Sequence, residues 1–169
     1  MLRDFRENGP VVLVPLAWTF ATAAHVDLLA LRTVLSAHLV MDAIIAAFTV
    51  LSWREMTDGV LLAWRRVLLV GLVVTLAGTG GLLADPPVTP VLTDTVVGWM
   101  LIPAAGLAYT GRHVDRRPFA YTVGAALSVV GTVAYVGGVA VAGMLFVLLG
   151  LGLVAVGQTA GIVAAVYDF

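Results

Sequence analysis

Residues 25–42 read HVDLLALRTVLSAHLVMD. Within that stretch His25, Asp27, His38 and Asp42 are the groups able to hold or pass a proton or to ligate a cation. They interrupt an otherwise apolar run from Pro10 to Trp53. An ionisable side chain in hydrocarbon costs roughly 2.5–3.5 kcal/mol on insertion scales, so each requires a partner or a use. Asp42 is the most exposed to that cost. Nine residues from Thr33 and eleven from Trp53, it falls near the middle of a bilayer, and the sequence predicts a carboxylate there that exchanges a proton or binds a cation.

Spacing ties these residues together. A hairpin turning at Arg32–Thr33 sets Asp27 level with His38, and His25 within about two residues, roughly 3 Å of rise, of Asp42. His38 and Asp42 are four apart and share a helix face. Relative to His38, Thr49 lies about 20° and Ser52 about −40° round the helix, so His38, Asp42, Thr49 and Ser52 form a polar stripe. His25 and Asp27 point to nearly opposite sides, and only one of them can face that stripe.

Several chemistries fit this set. An Asp27–His38 ion pair that closes the hairpin makes the residues structural. An ion or proton path uses Asp42 as the exchanging carboxylate and His38 as relay, with Asp27, His25, Thr49 and Ser52 along it. A site for a small solute needs no chemistry of its own. His25 and His38 offer two axial ligands to a b-type haem, although their directions do not converge. His25, His38 and Asp42 are ligand types for a divalent metal such as zinc, iron or manganese. No HExxH or similar spacing supports that centre, and no motif demands a cofactor. The leading reading is a small ion-, proton- or solute-handling membrane protein. A non-catalytic accessory or scaffold subunit of a membrane complex is the alternative, and a haem- or metal-binding redox protein the next.

The remaining polar residues carry less. Ser36, Ser52 and Ser128 lack a nucleophile's setting, and with no reaction motif the chain points away from an enzyme. Gly78-Thr79-Gly80-Gly81 has no following Lys and is no phosphate cradle. His113, within RHVDRR, belongs to a solvated loop or an anionic-lipid contact. Gln158 is placed to bond Asp42 or Thr75, or to make a packing hydrogen bond. Tyr121, Ser128, Thr132 and Tyr135 form a second stripe, read as interhelical hydrogen bonds in a dry bundle.

The elements that position these residues follow from composition. Of the 169 residues 61% are hydrophobic and 11% charged, which a soluble domain of this size cannot bury. An all-α integral membrane protein follows, read as one domain over residues 1–169 with spans at about 10–31, 34–53, 65–84, 95–111, 118–136 and 142–167. Pro10 and Pro118 open helices. The 85–90 segment, DPPVTP, is read as a non-helical loop, and Gly137-Gly138 as the start of a tight turn. A cleaved leader ending at Ala21-Thr22-Ala23 competes with the first span, but the apolar run continues to Leu31 and the head carries Asp4 and Glu7.

Arginine placement orients the bundle. Arg3, Arg6, Arg54, Arg65, Arg66, Arg112, Arg116 and Arg117 fall on one side and only Arg32 on the other, which places both termini in the cytoplasm. All nine basic residues are Arg, the pattern of a GC-rich genome. A net charge of −1 offers nucleic acid no basic field. Cysteine is absent, so disulfides, thiolate metal sites and thiol catalysis are excluded. The expected partners are the lipid bilayer of the cell membrane and either a membrane protein or further copies of the chain. Small residues at Gly71, Thr75 and Gly78, and at Gly150, Gly157, Gly161 and Ala164, mark faces for close helix packing within the bundle.

Overall fold

A computed structural model describes the backbone of residues 2–168 and the side chains of residues 11–167. The described chain is all-helical: α1 (Leu2–His25), α2 (Leu31–Ser52), α3 (Gly59–Leu83), α4 (Thr89–His113), α5 (Pro118–Ala140) and α6 (Met144–Asp168). The shortest, α2, has 22 residues. At 1.5 Å per residue it reaches about 33 Å, enough for a hydrocarbon core of about 30 Å. By length and composition α2 to α6 can each cross a membrane, whereas the described apolar part of α1 is the shorter stretch Val11–His25. The charged head at Arg3, Asp4, Arg6 and Glu7 lies outside the described side chains.

Packing follows chain order for five helices and then departs from it. Helix α2 packs on α3, α3 on α4, α4 on α5 and α5 on α6, while α1 packs on α6. The expected α1–α2 hairpin is therefore not formed: the two helices are consecutive in sequence but lie on different partners. Trp18 is the reason on the α1 side. It is buried in a cluster with Met100, Tyr135, Val147, Leu151 and Val154, from α4, α5 and α6.

The turn between α1 and α2 also moves from the expected Arg32–Thr33 to Val26–Ala30. Helix α1 closes with the Leu28 amide donating to the Ala23 carbonyl at 3.0 Å and the Asp27 amide to Ala24 at 3.3 Å. This is the paired C-terminal closure that needs a left-handed residue. Asp27 takes that place with φ 56°. Asp tolerates this geometry better than most non-glycine residues, which explains a helix end without Gly or Pro.

Three further boundaries differ from expectation. Helix α3 starts at Gly59 rather than near 65. Helix α4 starts at Thr89, with Pro90 in its first turn, where a missing amide costs nothing. Helix α5 continues through Gly137-Gly138 to Ala140, and the turn falls at residues 141–143. Gly138 serves approach rather than turning: a Cβ there would lie 2.6 Å from the Val147 amide nitrogen, whereas one on Gly137 would meet open space. The same closeness recurs along the α5–α6 seam. A Cβ on Gly157 would meet the Gly124 carbonyl at 2.6 Å, and one on Gly150 the Gly131 carbonyl at 2.5 Å. Backbone contact of this kind is the close approach that small residues permit between apolar helices.

Pro103 lies inside α4. Lacking an amide hydrogen, it leaves the Trp99 carbonyl without its helical donor. Gln158 of α6 supplies one, its Nε2 donating to Trp99 O at 2.9 Å, while its Oε1 accepts from the Trp18 indole at 3.0 Å. One amide thus repairs the proline break and anchors α1. Its partners are neither Asp42 nor Thr75.

Candidate functional site

Helix α2 touches little besides α3, so its buried residues Ile45, Thr49 and Ser52 define the face it presents there. Steps of three and four residues extend that face back to Asp42 and His38. Asp42 reaches across the seam. The Thr79 hydroxyl donates to Asp42 Oδ2 at 2.7 Å. Asp42 Oδ1 is buried and has no hydrogen-bond partner among the described residues. An enclosed carboxylate oxygen without a donor is costly, and such an atom calls for an explanation.

The Thr79 contact stands out against its neighbours. Thr49, Thr75, Thr110, Ser128 and Thr132 each donate to the carbonyl four residues back in their own helix. That is the default of a hydroxyl in an apolar helix. Thr79 gives up this bond and donates to another helix.

The other predicted residues are distributed as follows. His38 is half-buried, with Nδ1 3.2 Å from the Val34 carbonyl. A carbonyl only accepts, so Nδ1 carries a proton and Nε2 is left facing outward from that bond. Asp27 is exposed in the α1–α2 turn, and among the described residues no ion pair joins it to His38. The hairpin that would have levelled them is absent. Thr49 and Ser52 are buried in the α2–α3 seam rather than along an open channel.

His25 belongs to a different neighbourhood. Its Nδ1 lies 2.8 Å from the Ala21 carbonyl and its Nε2 2.9 Å from the Tyr135 hydroxyl, with the rings edge to face at 5.4 Å. Neutral His25 therefore accepts from Tyr135 through Nε2. His25 thus joins α1 to α5 and is not part of the Asp42 site. His25 and His38 lie on helices that do not pack together. No three His, Asp or Glu side chains among the described residues gather to hold a metal.

In the fifth-span stripe all four side chains are buried, and Ser128 and Thr132 bond back to their own helix. Sequence reasoning missed Thr79 and the His25–Tyr135 pair. Thr79 stands in a glycine-rich string whose evident chemistry was phosphate binding alone. Its signal was its position four residues past Thr75, close to the same face.

Arginine is concentrated at one end of the bundle, where Glu55, Asp58 and Asp115 also lie, while Arg32 stands at the other end. Arg54, Arg65, Arg66, Arg112, Arg116 and Arg117 lie at the end bearing the α2–α3 and α4–α5 links, and the opposite links carry Asp27 and Asp85. At the basic end the Arg65 guanidinium lies 4.6 Å from the centre of a Trp53 ring, and Arg117 5.3 Å from that of Tyr167. Comparison with protein families, with curated proteins and with solved structures gives no match to this chain.

Proposed function

We propose that this is a multi-pass protein of the cell membrane, both termini cytoplasmic, in which Asp42 takes up and releases a proton or a small cation. The observation that carries the reading is the buried Asp42 Oδ1, sealed without a partner beside an Oδ2 held by Thr79. A proton or a cation at Oδ1 removes the cost of a bare charge at that depth. His38, one turn away and half-buried, is the group between Asp42 and the Arg-poor end. Toward the Arg-rich end Ile45, Thr49 and Ser52 close the seam. Exchange in this conformation is therefore with the His38 side alone, and passage to the other side requires α2 to shift on α3. The arginine asymmetry supports the orientation.

The deciding measurement is proton and monovalent-cation flux in liposomes containing the purified protein. Flux that falls to background in Asp42→Asn supports the reading; flux unchanged by that substitution overturns it.

A second reading has its own observation. Among the described residues helix α2 packs chiefly on α3 and presents Leu39, Val40, Val50 and Leu51 outward. An accessory subunit would use such an edge helix against a membrane-protein partner or another copy of the chain. It predicts copurification and no flux.

A further inference from the structure

Where α2 ends, a groove of about 440 Å³ is lined by Val50, Leu51, Trp53 and Arg54. Its walls change character along the helix axis. Val50 and Leu51 are outward-facing and apolar, on the last turn of α2, while Trp53 and Arg54 begin the polar link to α3. Arg65, from the second turn of α3, does not line the groove but contacts its Trp53 wall. Glu55 and Asp58 share the link but do not line the groove.

We propose that this groove binds one anionic phospholipid, its acyl chain on Val50 and Leu51 and its phosphate on Arg54 with Arg65 beside it. The order of the surface argues for a lipid rather than a soluble anion. Apolar wall, indole and guanidinium follow one another as acyl chain, glycerol backbone and phosphate do in a phospholipid. Trp prefers the interface at which the glycerol lies, and Arg54 extends from there toward the headgroup layer. The Arg65 guanidinium, 4.6 Å from the centre of a Trp53 ring, favours the position in which that ring forms the wall. Complementarity of charge selects an anionic headgroup over a zwitterionic one, worth about fivefold in affinity for each arginine near the surface. The proposal is independent of any role for Asp42.

Quenching of tryptophan emission by lipids brominated on their acyl chains tests it. The full chain is reconstituted in phosphatidylcholine vesicles with rising brominated phosphatidylglycerol or brominated phosphatidylcholine. The Trp53 component is the difference between the wild type and Trp53→Phe. It should half-saturate at a mole fraction about fivefold or more lower for the anionic lipid. Arg54→Gln and Arg65→Gln should each reduce that preference severalfold, Arg116→Gln at the same end should leave it, and excess inorganic phosphate should not compete. Equal quenching by the two lipids, or no Trp53 component, overturns the proposal. So does an equal loss in Arg116→Gln, which marks general surface charge, or displacement by inorganic phosphate, which marks a soluble-anion site.

Discussion

Asp42 and Thr79 form a pair whose two members respond differently to change. Thr79→Val removes the donor to Oδ2 and leaves the whole carboxylate without a partner, which should lower stability by about 1.5–3 kcal/mol. Asp42→Asn keeps an oxygen for the Thr79 hydroxyl and should hold thermal stability in detergent within about 1 kcal/mol of the wild type. When Asp42→Asn is already present the Thr79→Val change should cost less, so a double-mutant cycle should give a non-zero coupling. Strict additivity would show that the carboxylate's charge adds nothing to the Thr79–Asp42 bond. At the other end of α1, His25→Phe should loosen α1 from Tyr135, read as faster proteolysis in α1.

At the scale of elements, two glycines on α6 separate packing from propensity. Gly157→Val places a side chain where even a Cβ meets the Gly124 carbonyl at 2.6 Å. Helices α5 and α6 must then part, at about 1–3 kcal/mol or more. Gly152 faces open space, so Gly152→Ala should be neutral or gain up to about 1 kcal/mol from helix propensity. Thermal unfolding of the two variants checks the contrast. The break in α4 has a matching test. Gln158→Leu strands the Trp99 carbonyl and the Trp18 indole and should cost about 1–3 kcal/mol. Adding Pro103→Ala returns an amide donor to that carbonyl. The double variant should recover part of the loss, and failure to recover would remove Pro103 from the account.

At the scale of the whole molecule the arginines gather at one end of the bundle. Reporter fusions at Asp58 and Arg116 should read cytoplasmic, and those at Val88 and Ala142 external, since the turns at 84–88 and 141–143 share the Arg-poor end. An external signal at Arg116 would break the proposed orientation. Helix α1 runs without interruption through Ala21-Thr22-Ala23 and carries Trp18 into the core. Cleavage after Ala23 would take that side chain out of the bundle. N-terminal sequencing of the purified protein should therefore find no cleavage after Ala23.

Composition and local pattern by themselves determined that the chain is helical, that five of its helices are long and apolar enough for a bilayer, and roughly where all six lie. These are short-range properties: apolar runs, prolines and the step of small residues along one face. The stripe of His38, Asp42, Thr49 and Ser52 was legible for the same reason, because a helix repeats its face every three to four residues. Which helix that stripe meets was not. The notion of an α1–α2 hairpin rested on adjacency in sequence, and adjacency does not decide packing when a better notch exists elsewhere. Trp18 finds that notch among α4, α5 and α6, with Gln158 as its hydrogen-bond partner. Its burial carries α1 away from α2, and with it His25 away from Asp42. Asp27 ends in an exposed turn because its left-handed backbone closes α1, a role that neither its charge nor its spacing to His38 announces. Only the tertiary structure could pair Asp42 with Thr79: that bond depends on the register of two antiparallel helices, and a single strand of sequence carries no register between its parts.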